Sequence, residues 1–215
     1  MKRSITFNFQ FSIFSLLMFL FVFTAQGVWA QSGEWKDYAA SGYASGDGSK
    51  DNPYVINNAA QLAFMAKEVS NTQNISVGKY YVLGDNIDLS AHYWNPIGEL
   101  DDYGYSFKGK LDGRGYVISN MTVLWNDDST LKRYGLFSAL EDGAEIYNLI
   151  IDEAKMLRTS NSSLSNEILV AVLAGAVRQN TKVRNIIVRN SEITAKVAFD
   201  VNGKRMIVGG LVGTL

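Results

Sequence analysis

The chain has 215 residues, of which 47% are hydrophobic and 19% are charged, with 20 Lys and Arg against 21 Asp and Glu. A formal net charge of −1 gives no excess of positive charge for binding nucleic acid, and the lack of cysteine excludes disulfides and thiolate metal sites. The length suffices for one globular domain with its own core.

Residues 1–30 have the pattern of a secretory signal peptide. Lys2 and Arg3 precede an apolar run from Ile13 to Phe23, and Val28-Trp29-Ala30 is a small-residue cleavage site. A retained N-terminal membrane anchor is the alternative, but the apolar run is short for a membrane span. We therefore expect an exported chain without a membrane span after signal removal, located in the periplasm, on the cell surface or outside the cell.

Residues 31–52 are rich in Gly, Ser, Ala and Asp and show no hydrophobic period, which predicts a flexible leader. Within this leader, Asp47, Ser49 and Asp51 have the spacing of oxygen ligands in a calcium loop. The Gly and the distal Glu that complete such a loop are missing. We therefore predict a flexible turn and no metal site, with bound calcium left open.

One amphipathic helix is predicted over about residues 59–69, after a short strand at 54–56. Asn58 is a typical N-cap, and Gln61 follows three residues later. Apolar residues recur behind it at helical spacing, at Leu62, Met65, Ala66 and Val69. A helix that precedes a stack of strands can cover the apolar end of that stack, so we expect it to act as an N-terminal cap.

A segment recurs imperfectly in the second half of the chain. Residues 135–138 and 172–175 each precede an Asn-centred apolar run, and the interval between the copies equals that from Asn148 to Asn185. Residues 210–213 open a third copy after nearly the same interval. Residues 116–123 resemble an earlier copy of the apolar run, and the interval from Asn120 to Asn148 is shorter. Repeats with a period of about 20 to 50 residues predict a solenoid.

Each apolar run has an Asn at its centre, at Asn120, Asn148 and Asn185. Ile146 and Leu149 are three residues apart, so a straight strand would point them to opposite faces. A corner at the Asn between them lets both face one interior, because Asn tolerates the left-handed backbone region and stacked Asn side chains can bond from level to level. The sequence therefore predicts an all-β fold, a right-handed parallel β-helix with one short N-terminal capping helix.

From residue 52 onward the chain resembles the GLUG-motif proteins. The motifs that carry the resemblance are Asn52-Pro53-Tyr54-Val55-Ile56, Ala60-Gln61-Leu62-Ala63, Asp85-Asn86-Ile87-Asp88-Leu89, Trp94-Asn95-Pro96-Ile97-Gly98, Phe107-Lys108-Gly109-Lys110-Leu111-Asp112-Gly113, Gly135-Leu136-Phe137 and Gly209-Gly210-Leu211-Val212-Gly213. The resemblance implies an exported, repeat-built surface protein of a Gram-negative gut bacterium. The GLUG repeat also occurs in adhesins and, outside their catalytic domains, in IgA-cleaving peptidases, so it implies architecture and no particular chemistry.

We expect the β-helical GLUG-repeat domain to span residues 53–215 and to be incomplete at its C-terminus. The run at 210–213 opens a repeat whose Asn corner would fall beyond Leu215. Further repeats, or a C-terminal domain of a longer chain, are therefore expected partners.

No catalytic motif is evident. His92 is the only histidine, and the sequence has neither the Gly-x-Ser-x-Gly of a serine hydrolase nor the His-Glu-x-x-His of a zinc protease. The acid pairs Asp101-Asp102, Asp127-Asp128 and Glu141-Asp142 lie in turn-like sequence, and adjacent residues do not converge on one side of a strand. We predict solvated loop acids, a packed or solvated loop histidine, no catalytic residue and no cofactor.

An aromatic stretch suggests a ligand site. His92, Phe107 and the four predicted ligand-binding residues Tyr93, Trp94, Tyr103 and Tyr105 make it the densest aromatic segment after the signal peptide. Exposed aromatic faces can stack on sugar rings. The leading hypothesis is a non-catalytic binding or adhesion module that contacts glycans or host glycoproteins. The alternatives are a glycan-active β-helical lyase or hydrolase and a structural stalk fragment of a longer surface protein.

Overall fold

The computed structural model describes residues 32–99, 103–125, 132–160, 167–195 and 205–214. The predicted signal peptide and the acid pairs Asp101-Asp102 and Asp127-Asp128 lie outside these ranges. Within them, strands dominate and one α-helix is present, α1 (Ala59–Asn71), with short 3-10 helices at Trp35–Tyr38 and Tyr103–Tyr105. The strands are β1 (Tyr54–Ile56), β2 (Tyr80–Leu83), β3 (Ile87–Asp88), β4 (Lys110–Asp112), β5 (Val117–Ser119), β6 (Thr122–Leu124), β7 (Lys132–Tyr134), β8 (Phe137–Leu140), β9 (Glu145–Asp152), β10 (Lys155–Arg158), β11 (Ile168–Ala171), β12 (Ala174–Val177), β13 (Lys182–Arg189), β14 (Glu192–Ala195), β15 (Met206–Gly209) and β16 (Val212–Thr214).

All paired strands run parallel, and strands that pair are distant in sequence. The longest sheet contains β1, β2, β4, β9, β5 and β3, with β13 paired to β9, and three smaller sheets have the orders β14-β10-β6, β15-β11-β7 and β16-β12-β8. Consecutive strands such as β10, β11 and β12 lie in different sheets. We use the word level for a run of the chain that contributes one strand, straight or bent, to each of several sheets.

The sequence interval between neighbouring levels varies along the chain. Tyr81 lies beside Tyr54, Glu145 lies beside Lys110, and Lys182 lies beside Glu145. The interval between partners increases from the first of these pairs to the last. The predicted period therefore applies to the last levels, whereas the run from β1 to β2 is shorter and contains helix α1.

The core lies inside the bend of β9. Ile146, Leu149 and Ile151 have no exposed surface, although a straight strand would turn Ile146 and Leu149 to opposite faces. Asn148 between them has a φ of 55°, in the left-handed region. This single residue resets the alternation, as the corner interpretation requires.

The corner residues of successive levels are joined by side-chain hydrogen bonds. The Asn185 amide Nδ2 donates to Asn148 Oδ1 at 2.7 Å, and Asn148 Nδ2 donates to Asp112 Oδ1 at 3.0 Å. Asn185 also has a positive φ, of 52°. The corner therefore combines a backbone conformation that Asn tolerates with a polar ladder between levels.

Asn120 has a left-handed φ of 57° but belongs to a second column. Its N–H donates to the Asp152 carbonyl at 3.1 Å, which places it beside Glu153 and not beside Asn148. Glu153 and Asn190 have φ values of 55° and 51°. The alignment of Asn120 with Asn148 was therefore wrong, because the levels of β9 and β13 each have two left-handed corner residues and the sequence comparison matched one corner to the other.

Helix α1 begins where the sequence predicts. Asn58 Oδ1 accepts the Gln61 N–H at 3.0 Å, and Gln61 Oε1 accepts the N–H of Asn57, just before the cap, at 2.8 Å. The four predicted apolar residues are buried. The helix ends at Asn71, slightly beyond the predicted end.

The segment predicted as a flexible leader packs onto the strands from residue 32 onward. Trp35 is buried, and its Nε1 donates to the Leu89 carbonyl at 3.1 Å. Ala44 and Ser45 exchange backbone hydrogen bonds with Val55 at 2.9 Å, and the Tyr43 hydroxyl donates to Glu68 at 2.6 Å. The prediction missed this because scattered aromatic anchors, without a hydrophobic period, hold the segment in place.

A column of small residues explains part of the repeated motif. Ile97, Phe137, Ala174 and Val212 lie beside one another on successive levels, so the residues after them, Gly98, Ser138, Gly175 and Gly213, are also aligned. A Cβ at Gly175 would lie 2.7 Å from Arg133 Cβ and 2.9 Å from the Tyr134 nitrogen. The neighbouring strand thus leaves no room for a side chain there.

We expect Asn148→Ala to reduce the free energy of unfolding by about 1–3 kcal/mol, because it removes two ladder hydrogen bonds and places Ala at a strained backbone conformation. Asn148→Gly keeps the left-handed backbone and should lose only the ladder contribution. Urea unfolding curves of the two variants measure the difference. Equal losses would mean that the backbone conformation contributes nothing at this corner.

A second prediction compares two glycines of the repeat. Gly175→Ala should destabilise by about 1–3 kcal/mol through overpacking, whereas Gly210→Ala, where no atom lies within 4 Å of the added Cβ, should change stability by less than about 0.5 kcal/mol. Thermal unfolding of both variants is the measurement. A Gly210 variant as unstable as the Gly175 variant would refute the steric explanation.

Candidate functional site

Two residues of the predicted aromatic platform, Trp94 and Phe107, lie in the core. Trp94 is 2% exposed, and its Nε1 donates to the Leu136 carbonyl at 3.1 Å. Phe107 has no exposed surface and packs on Phe137 with ring centroids 5.1 Å apart. Trp94 is therefore a core residue, and its assignment as a ligand residue is corrected.

Of the three tyrosines predicted to bind a ligand, the structure describes the side chains of two. Tyr93 and Tyr105 are half-buried, and the side chain of Tyr103 lies outside the described part of the chain. The Tyr93 backbone accepts the Trp35 N–H at 2.9 Å, and the Tyr105 carbonyl accepts the Glu99 N–H at 3.3 Å. Tyr93 and Tyr105 are thus held beside the loop 95–99, each by its own backbone contacts.

His92 is packed in an aromatic cluster. Its ring stacks on Tyr38 with centroids 3.6 Å apart and meets Trp35 edge to face at 4.8 Å. Its Nδ1 lies 2.5 Å from the Ser32 carbonyl oxygen. These contacts fit a packed loop histidine.

In the one acid pair that the structure describes, the Glu141 and Asp142 side chains have different partners. The buried Glu141 accepts the Ser106 hydroxyl at 3.1 Å and lies 3.6 Å from Arg178. The exposed Asp142 contacts Lys108 at 3.1 Å. Two carboxylates with separate partners are not arranged for joint acid–base catalysis.

Carboxylates on the outer sheet faces bind cations of neighbouring levels. Glu145 lies 2.9 Å from Lys110 on the level before and 3.6 Å from Lys182 on the level after. Asp152 lies 2.8 Å from Arg189. The Lys110 and Arg189 hydrogen bonds hold the pKa values of Glu145 and Asp152, respectively, below their usual range. These acids therefore stay ionised and take part in pairs between levels.

A groove with both polar and apolar surface lies where three segments meet. It has a volume of about 400 Å³ and lies between the C-terminal half of α1, the 3-10 helix Trp35–Tyr38 and the loop 95–99. Its lining residues are mostly hydrogen-bonding groups: Lys36, Asp37, Ala66, Lys67, Ser70, Asn71, Asn95, Pro96, Gly98 and Glu99. We call this the helix groove.

Asn95 orders one wall of the helix groove. Its Oδ1 accepts the Lys36 N–H at 3.2 Å, and its side chain helps to lower the pKa of Glu34. Glu34 forms an ion pair with the Lys36 ammonium. The Lys36 hydrogen bond, with help from Asn95, holds the pKa of Glu34 below its ordinary value, and the same ion pair raises the pKa of Lys36.

The lining charges of the helix groove balance, since Lys36 and Lys67 oppose Asp37 and Glu99. Amide, hydroxyl, ammonium and carboxylate groups together can donate and accept several hydrogen bonds, which suits a neutral polar ligand. The sequence did not reveal this groove, because one wall belongs to the segment predicted to be flexible. The nearest signal was the Trp94-Asn95-Pro96-Ile97-Gly98 motif, whose polar Asn95, and not its Trp94, lines the groove.

Metal-binding and membrane-spanning features are both lacking in the part of the chain that the structure describes. No group of three or more His, Cys, Asp or Glu side chains there is placed to hold a metal ion. At the predicted calcium-like turn, Asp47 Oδ1 accepts the Ser49 N–H at 2.8 Å, as in an ordinary Asx turn. Among the same residues, no helix has the length and apolar character needed to cross a membrane.

Sequence comparison finds two proteins that match parts of the chain, and no family model matches it. Over 185 residues the chain is 30% identical to a halomucin of Haloquadratum walsbyi, an alignment that covers 81% of this chain and 2% of the halomucin. Over 117 residues it is 32% identical to a proposed Gly-rich membrane protein of Evansella cellulosilytica, covering 51% of this chain and 12% of that protein. The chain thus spans only a small part of both relatives.

A solved structure shares the fold. The crystal structure of a proposed immunoglobulin A1 protease from Bacteroides ovatus superposes with a TM-score of 0.52, over 80% of this chain and 56% of that one, at 16% sequence identity. At this identity the similarity concerns the fold alone.

The Glu34 ion pair gives a prediction for pH titration. Because the folded-state pKa of Glu34 is depressed, its stabilising contribution is present above the unfolded-state pKa and is lost as pH falls through the folded-state pKa. Lys36→Met should raise the Glu34 pKa more than Asn95→Ala does, since the Lys36 contact has the larger effect. Carbon-13 NMR titration of the Glu34 carboxyl measures both, and the reverse order would contradict this account of the groove wall.

Proposed function

We propose that the chain is a right-handed parallel β-helix of the GLUG-repeat type that acts as a non-catalytic, exported binding module, with the helix groove as its ligand site. The single observation that carries the binding function is the charge-balanced, hydrogen-bonding lining of this groove. The ligand class we propose is a neutral glycan or the glycan of a host glycoprotein.

The β-helix is supported by the order of strand pairing. Four parallel sheets each receive strands from successive levels, and the last two levels are offset by nearly the same sequence interval in every sheet. A chain that turns in one sense from sheet to sheet gives this order, and crossovers between parallel strands are right-handed with few exceptions. The shared fold of the Bacteroides ovatus structure is consistent with it.

The groove suits a glycan for reasons of charge and geometry. Sugar hydroxyls are paired donors and acceptors, and the groove offers both kinds of group on three separate elements. The Asn95 side chain is held by its hydrogen bond from the Lys36 N–H, so part of the site is ordered before binding. The half-buried Tyr93 and Tyr105 flank the same loop and remain candidates for stacking on sugar rings.

The proposal of a non-catalytic module is supported by the partners that the described acidic side chains already have. Glu141 and Asp142 have separate partners, and Glu145 and Asp152 are bound in ion pairs between levels. A glycan-active enzyme needs two convergent carboxylates or an equivalent set of ionisable groups. Export is supported by the signal-like residues 1–30 and by the similarity to a halomucin and a membrane protein.

The test is a glycan array probed with wild type and with a Lys67→Ala, Ser70→Ala double variant. We expect the variant to lose at least about tenfold in affinity for any glycan that wild type binds, because two hydrogen bonds are removed from the groove. Lys155→Ala, which removes an exposed lysine from β10, is the matched control and should bind like wild type.

Three outcomes would contradict the proposal. They are the absence of any glycan signal, a signal that the groove variant retains in full, and glycan turnover that falls when Asp101 or Asp102 is replaced. The last of these would establish the enzyme in place of the binding module.

A further inference from the structure

The 3-10 helix Trp35–Tyr38 ends in an exposed tyrosine. Tyr38 is 51% exposed, whereas Trp35 at the start of the same turn is buried. Residues three apart lie on one side of a 3-10 helix, so Tyr38 and Trp35 share a side. Asp37, the residue before Tyr38, lines the helix groove. An aromatic ring that is open to solvent therefore lies beside this wall of the groove.

The orientation of the Tyr38 ring is fixed by its neighbours. The His92 ring stacks on it with centroids 3.6 Å apart and planes 6° apart. Gly33 lies against the edge of the ring, since a Cβ at Gly33 would be 3.3 Å from Tyr38 Cε2. Because His92 covers one face of the ring and Tyr38 is still half exposed, solvent reaches the ring from the opposite face.

The support beneath the Tyr38 ring is connected to the core. His92 meets Trp35 edge to face with centroids 4.8 Å apart, and its Nδ1 lies 2.5 Å from the Ser32 carbonyl oxygen. Trp35 is buried, and its Nε1 donates to the Leu89 carbonyl at 3.1 Å. A ring held in this way has little side-chain freedom to lose when a ligand stacks on it, so the surface is ordered before binding.

The size of this surface indicates what can bind there. Between residues 32 and 76, all of which the structure describes, Tyr38 is the one large hydrophobic side chain that is exposed. A stable interface with another protein takes about 800 Å² of each partner, far more than one ring face offers. A pyranose ring matches it, since C–H groups on one face of the sugar can lie on the aromatic ring while the hydroxyls around its edge stay in water or reach polar groups.

We propose that the exposed face of Tyr38 is a sugar-stacking subsite, which holds a further pyranose unit of the glycan that occupies the helix groove. The inference rests on the function proposed for the groove, because it adds one unit to the same ligand. Lys36 and Asp37 of the 3-10 helix line the groove and Tyr38 follows them, so a chain of several sugar units can contact both surfaces. The unit on Tyr38 contributes affinity through its apolar face, as β-linked glucose can.

The test uses unbranched β-1,4-linked glucose oligomers of increasing length, titrated by calorimetry into wild type and into Tyr38→Ala. With wild type, affinity should rise at least about fivefold between the short and the long oligomers, as the added unit reaches the ring. Tyr38→Ala should bind the short oligomers like wild type and lose this gain. Tyr38→Phe should keep it, because the ring and not the hydroxyl makes the contact. Tyr147→Ala, which removes a ring from β9, is the matched control and should leave both affinities unchanged.

A measurement on wild type keeps the proposal testable if Tyr38→Ala does not fold. The C–H protons of one sugar unit of the long oligomer should shift upfield in proton NMR spectra, because they lie over the face of an aromatic ring. Tyr38→Phe should retain this shift. Thermal unfolding of each variant checks that the fold is retained.

The groove variant Lys67→Ala, Ser70→Ala separates this subsite from the groove itself. We expect it to weaken the short and the long oligomers alike, whereas Tyr38→Ala weakens only the long ones. If the groove variant loses binding and Tyr38→Ala binds every oligomer like wild type, the groove function stands and the subsite is refuted. Glycan-array binding without any binding of the glucose oligomers, or an equal loss in Tyr38→Phe and Tyr38→Ala, would also refute the subsite. The absence of any glycan binding would overturn both proposals.

Discussion

The register of the parallel strands is the constraint on which the rest of the structure depends. Backbone hydrogen bonds between levels place one residue directly beside its counterpart, and the side chains must then be compatible along the whole column. This is why Asn185 contacts Asn148 and why Glu145 contacts Lys182. It is also why a glycine or serine directly follows each of the aligned residues Ile97, Phe137, Ala174 and Val212 in the sequence. A column is stable only when amides can bond, charges alternate or small residues repeat.

The candidate ligand site lies where the regular stacking gives way to other structure. Helix α1, the 3-10 helix Trp35–Tyr38 and the loop 95–99 supply its walls, and their apolar residues, such as Leu62, Trp35 and Ile97, belong to the core that the strands share. Loops and helix ends offer backbone and side-chain groups that a stacked sheet uses for its own pairing, and a rigid scaffold holds them in place. The binding function that we propose relies on this division between repetitive strands and irregular loops and helix ends.

The sequence predicted local features well and long-range alignment less well. The helix followed from Asn58, Gln61 and the spacing of the apolar residues, and the bent strands followed from the three-residue step around Asn148, because both signals are local. The placement of Asn120 failed, since two corners of one level look alike in sequence and only strand pairing distinguishes them. The helix groove was missed because Trp35 and Tyr43, which hold its wall in place, are single aromatic residues without a hydrophobic period. Trp94 was misassigned because the sequence alone does not show whether a tryptophan is buried or exposed.

The unequal length of the levels has a consequence for how the sequence of such a chain can evolve. The interval from Thr122 to its neighbour Lys155 is shorter than the interval from Lys132 to its neighbour Ile168, yet the pairing remains parallel and in register. The difference is absorbed by the connections between strands. Insertions there lengthen one level and leave every later level unchanged, whereas the loss of Asn148 would remove the corner at which β9 bends. Loops of this kind can therefore acquire new residues, and with them new surfaces, without any compensating change in the strands.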